Sequence, residues 1–156
     1  MPERPAEHPA ERPAERPAGR SAGRPAPRGP RLLAVQGAGR LVGWSLAASN
    51  GRQLARSARL YRSEPELAAA LRELLIERAS LRYAFVQDAS RAWCWSAYLP
   101  PRTTRPGPLA EEPIARSARG YLRRDQCRQG VESFRGGLNA LERELRTVGS
   151  EGRWPW

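Results

Sequence analysis

Apolar and polar positions change period along this chain in the same order twice. Residues 31–36 form a short apolar run, and from Leu41 to Ala48 the pattern alternates. Val42, Trp44, Leu46 and Ala48 fall on one side, with Gly43, Ser45 and Ala47 on the other. A period of two predicts strands, and Gly37-Ala38-Gly39-Arg40 between them predicts a turn. Ser49-Asn50-Gly51 predicts a hairpin, because Asn and Gly tolerate positive φ, and a third strand is expected over about Gln53 to Ala58. The period then lengthens. Ser63-Glu64-Pro65-Glu66 reads as a capping box, Ser63 accepting from the Glu66 amide and Glu66 reaching back, with proline tolerated in the first turn. Leu67, Ala70, Leu71, Leu74 and Leu75 supply a helical stripe that can cover a sheet. The predicted unit is β-β-β-α.

The second pass has the same plan: strands at Leu81 to Gln87, Ala92 to Tyr98 and Pro113 to Ala118, with a turn at Asp88 to Arg91. A proline-rich stretch, residues 99–112, replaces the hairpin loop. A helix of about 20 residues is expected to begin near Arg124-Asp125, on the spacing of Cys127, Val131, Phe134, Leu138, Leu141 and Leu145. Gly136-Gly137 lie inside it and predict a kink, since each costs about 1 kcal/mol against alanine. The passes share residues as well as rhythm. Ala55-Arg56-Ser57-Ala58-Arg59-Leu60-Tyr61 recurs as Ala115-Arg116-Ser117-Ala118-Arg119-Gly120-Tyr121, an offset of 60, and Trp44-Ser45 recurs as Trp95-Ser96, an offset of 51. One supersecondary unit used twice is the expected organisation, unit one at 31–79 and unit two at 80–147.

Outside these units the sequence predicts little packing. Residues 1–30 are a degenerate Glu-Arg-Pro-Ala tract whose prolines block helix and sheet, hence a disordered arm; 148–156, ending Trp154-Pro155-Trp156, read as a flexible tail. No apolar run matches a secretory h-region or a membrane span, so cytoplasm is the expected location and no membrane partner is expected.

The net charge is +11, and all 27 basic residues are arginine. Without lysine, Schiff-base and P-loop chemistry are excluded. The one histidine, His8, lies in the arm, which removes histidine triads and most zinc sites from the folded part. Cys94 and Cys127 have no Cys-x-x-Cys spacing and read as small packed residues. Gly37-Ala38-Gly39 imitates the opening of a dinucleotide fingerprint, but a strand follows where a helix is needed. Glu111-Glu112 read as solvated loop carboxylates. Trp44, Trp93 and Trp95 lie on the faces a helix must cover and read as core. Tyr61 and Tyr121 read as packed junction residues.

The segment from Trp44 to Gly51, the following strand, Leu60-Tyr61 and the helix opening at Ser63 resemble the tandem-repeat YegP-like family of bacterial proteins, as does Gly130-Val131-Glu132-Ser133-Phe134 after Tyr121. The resemblance runs from about Leu32 to Leu138. Ser45 and Ser96 stand where the family usually has a basic residue, and Ala58-Arg59 and Ala118-Arg119 replace its Ser-Glu. It implies an α+β fold of two β-β-β-α units related by a pseudo-two-fold, with an antiparallel sheet and helices packed on one face. It brings no catalytic residues, cofactor or metal, the family being uncharacterised.

Function is therefore expected to be non-enzymatic, by binding or self-association, with a homodimer as one form. The alternative is a nucleic-acid-binding accessory role. Its candidate residues are Arg56, Arg59, Arg62, Arg116, Arg119, Arg123, Arg124 and Arg128, repeated cations on or near the third strands and helix starts that suit a polyanion. Cations at a helix start oppose its dipole, which leaves Arg123 and Arg124 without a stabilising explanation.

Overall fold

Strand alternation and two apolar helical stripes set the architecture. The computed structural model describes residues 29–101 and 112–147. The arm through residue 28 with His8, most of the proline-rich stretch including Glu111, and the tail with Trp154-Pro155-Trp156 lie outside the described residues. The elements are β1 (Arg31–Gln36), a 3-10 turn (Ala38–Arg40), β2 (Val42–Ala47), β3 (Gln53–Ser57), α1 (Glu64–Ile76), β4 (Arg82–Gln87), β5 (Trp93–Tyr98), β6 (Ala115–Ser117) and α2 (Arg124–Thr147). The strands form one open antiparallel sheet in the order β1-β2-β3-β6-β5-β4, so the third strands of the two passes meet at its centre. The fold is α+β.

Both helices pack on the face that carries the tryptophans. Trp44 and Trp95 are 1% and 0% exposed, and the Trp95 ring sits 4.9 Å from Phe134 of α2 and edge-on to Tyr83 at 6.1 Å. Leu67, Leu71 and Leu74 of α1 and Val131, Phe134 and Leu138 of α2 complete the core. Each such side chain contributes roughly 1.5–3 kcal/mol on burial.

The third strands are shorter than expected. Pro113 has no N–H to give a ladder, and β6 begins only at Ala115, although Ile114 N–H donates to Ala97 O and its carbonyl accepts from Ala58. A register shift between Leu46 and Ala47 lets Leu54 and Ala55 both be buried. Ser63 Oγ accepts from the Glu66 amide at 3.3 Å as expected, but the Glu66 carboxylate reaches the Arg62 amide, 2.9 Å, one residue beyond the predicted partner. The helix through Gly136-Gly137 is continuous for 24 residues rather than about 20. Gly137 has a tertiary reason to be there: a Cβ would come within 3.0 Å of Leu54 Cδ1 and 3.1 Å of Leu46 Cδ2. The glycine lets α2 lie close on the sheet, which outweighs its poor helix propensity. No described helix is long and apolar enough to cross a membrane.

Candidate functional site

The recurring Ala-Arg-Ser-Ala-Arg-x-Tyr motif assigns each of its residues to a different surface. Ala55 and Ala115 are wholly buried at the sheet centre. Ser57 Oγ accepts the Trp44 N–H at 3.1 Å, and Ser117 Oγ accepts the Trp95 N–H at 3.3 Å. Arg59 lies over the Tyr61 ring at 5.6 Å and Arg119 over Tyr121 at 5.0 Å, contacts of the cation–π kind. Each tyrosine exchanges backbone hydrogen bonds with the start of a second strand, Tyr61 with Val42 and Tyr121 with Trp93. Both tyrosines are buried junction residues, as the sequence predicts.

The remaining motif position, Arg56 and Arg116, points away from the helices. These two residues are direct cross-strand partners at the centre of the sheet, flanked in the same row by Ser45 and Ser96 and then by Leu33 and Ala84. Like charges directly opposite one another destabilise a sheet, so this pair is not explained by folding. Alternation places Arg31 and Arg82 on the same face. Arg31, Arg56, Arg82 and Arg116 are the only charged residues in the six strands, and all four are exposed on the helix-free face. Leu33, Val35 and Val86, 43%, 45% and 55% exposed, border them.

The eight predicted arginines thus divide among different surroundings. Arg56 and Arg116 come together. Arg59 and Arg119 are held on tyrosines; Arg59 also donates to Tyr61 Oη at 3.5 Å and pairs with Glu112 at 3.6 Å. Burial works against the Arg59 charge, but the hydrogen bond to Tyr61 and the fields of Tyr61, Glu112 and Glu73 outweigh it and raise its pKa. Glu112 is exposed, as expected of a loop carboxylate, and in addition pairs with Arg59. Arg124 lies 5.4 Å over the Trp93 ring, which gives it the stabilising contact that its place at a helix start lacks. Arg62, Arg123 and Arg128 are exposed near the helix starts. The sequence reading missed Arg31 and Arg82, although the offset of 51 that aligns Trp44 with Trp95 aligns these two as well.

Other chemistry is sparse among the described residues. They contain no cluster of three metal-ligating side chains. Burial, then the field of Cys94, pushes the Cys127 thiol up to about 11, which keeps it an inert core residue. Trp44, Trp93 and Trp95 lie on the helix-covered face, and Trp44 and Trp95 are fully enclosed, so they offer no platform for base stacking.

No protein-family model and no curated protein matches this chain. Two solved structures do. A protein of unknown function, yegP from E. coli, aligns over 70% of this chain and 86% of its own at 16% identity and a TM-score of 0.52. A UPF0339 protein from Shewanella oneidensis aligns over 70% of this chain and 84% of its own at 14% identity and a TM-score of 0.54. The chain thus has the YegP-like fold, α+β with one open antiparallel sheet and two helices.

Proposed function

We propose that this protein is a non-enzymatic binding protein whose helix-free sheet face holds a polyanion, specifically a nucleic-acid backbone. One observation carries the reading: all four charged strand residues are arginines, and they share the face that no helix covers. An open sheet face with four cations, two of them direct cross-strand partners, and no carboxylate among its strand positions suits a ligand with repeated phosphates, whose counterions are released on binding. Ser96 adds a neutral polar group to the row, whereas Ser45 is buried with its hydroxyl directed to Ala55 O at 3.4 Å. Because the tryptophans are on the other face, recognition rests on backbone charge, without base stacking. Face-to-face self-association is disfavoured, since two such faces would bring eight arginines together without an acid. The reading of residues 31–79 and 80–147 as copies of one module is part of this proposal, supported by the equivalent serine–tryptophan and tyrosine bridges.

The test is the salt dependence of binding to single-stranded and duplex DNA oligonucleotides. Affinity for single strands should fall with log salt at a slope of about −3, as four phosphate contacts predict. The double variant Arg56→Ala/Arg116→Ala should lower both the affinity and the steepness. Absence of binding at low salt, or an unchanged slope in the variant, overturns the proposal.

A further inference from the structure

The two passes differ in charge at several matched positions, and one of these differences lies beside a cleft. Arg52, immediately before β3, and Glu112, sixty positions on and shortly before β6, occupy equivalent places. Each neighbours the arginine stacked on a junction tyrosine in the opposite half. Glu112 pairs with Arg59, 3.6 Å away. On the other side the partners are two cations: Arg52 and Arg119 line a cleft of about 360 Å³ together with Tyr121, Gln126, Gln129 and Ser133. Arg52 is set by the hairpin, its amide donating to Asn50 Oδ1 at 3.0 Å and its carbonyl accepting from Ala48. Arg119 is set by the Tyr121 ring, 5.0 Å away. Ser133 Oγ donates to Gln129 O, which leaves its oxygen free to accept.

We infer that the cleft between Arg52 and Arg119 binds a compact oxyanion, the carboxylate or phosphate of a small polar molecule, in the position that Glu112 fills in the other half. Two guanidinium groups supply charge-assisted donors, and the amides of Gln126 and Gln129 supply neutral ones for the remainder of the ligand. The opposite site shows what such a cradle accepts, because there the chain provides its own carboxylate. Arg52 and Arg119 take no part in the helix-free face, so this site stands apart from the polyanion reading and can fail without it.

The test uses the full chain at low ionic strength, with inorganic phosphate and succinate as separate probes, followed by amide chemical shifts. At least one probe should shift the signals of Arg119, Gln126, Gln129 and Ser133 saturably, and the stronger one identifies the headgroup. Arg52→Glu supplies an internal carboxylate and should weaken binding by about tenfold or more, the loss of one charge-assisted contact. Should that variant fail to fold, Arg52→Gln must weaken binding in the same direction. Glu112→Arg should in turn open a second response around Arg59. Shifts that do not saturate with either probe, or equal affinity in the Arg52 variants, overturn the inference.

Discussion

In the first half of the molecule Leu60 lies over Gly37 and Gly43, where an added Cβ would come within 2.5 Å and 3.0 Å of its methyl groups. In the second half Gly120 stands in the place of Leu60. The bulk there comes from the strand side, with Ala92 2.6 Å and Cys94 Sγ 3.8 Å from where a Cβ would be. Cys94 and Gly120 stand at the positions that the sequence offsets match to Gly43 and Leu60: small facing large is kept, with the two exchanged. The halves also differ beneath the helices. Ala70 in α1 corresponds to Gly130 in α2, where a Cβ would collide with Tyr121 Oη and approach Trp95 Nε1 to 3.2 Å. Positions matched in the sequence are thus packed by different side chains, and each solution holds only together with its partners.

The largest expected effect lies at that last position. Gly130→Ala should destabilise by roughly 1–3 kcal/mol through overpacking, whereas Ala70→Gly should cost only about 1 kcal/mol of helix propensity. Chemical denaturation of both variants checks this; equal losses would mean that the halves are packed alike. Exchange of the other pair is next. Gly43→Cys alone should destabilise, and Gly43→Cys/Leu60→Gly should recover stability with a coupling of about 0.5–2 kcal/mol. Additive losses in the double-mutant cycle would break the comparison.

A third difference is readable by pH. Tyr83 occupies in β4 the place of Leu32 in β1, and burial pushes its hydroxyl up to about 12, with the fields of Arg135 and Glu132 as lesser influences. A tyrosine pKa raised on folding contributes stability that is whole below about 10 and lost as pH rises towards 12. Unfolding midpoints measured across that window should fall in the native chain and fall less in Tyr83→Phe. The smallest effect separates two neighbours in α2. Beyond its chain neighbours and its own helix backbone, Gly136 has no described atom within 4 Å of where an added methyl would sit, so Gly136→Ala should stabilise by about 0.4–1 kcal/mol. Gly137→Ala meets Leu46 and Leu54 and should gain less or lose. Thermal midpoints of the two variants decide.

The strand faces are legible in the sequence because alternation is a local property: spacing alone puts Trp44, Leu46 and Trp95 on the covered side. Strand ends are not, since the start of β6 depends on what its neighbours can hydrogen-bond. The continuous helix through Gly136-Gly137 also depends on packing, because Gly137 answers to Leu46 and Leu54 on strands far away in sequence. At the candidate site, Arg56 and Arg116 are visible as repeated residues. Arg31 and Arg82 stay hidden because each opens an apolar run and joins the others only when the sheet sets them on one face. The pairing of Glu112 with Arg59 is not legible locally because the two lie in different halves.

We propose that the helix-free face, rather than the helix starts, meets a polyanion. The most direct measurement is amide chemical-shift mapping of the full chain titrated with a single-stranded oligonucleotide at low salt. Shifts are expected to centre on Ser45, Arg56, Arg116 and Ser96 and to spread to Arg31 and Arg82. Shifts centred on Arg123, Arg124 and Arg128, with the sheet face unmoved, would contradict it.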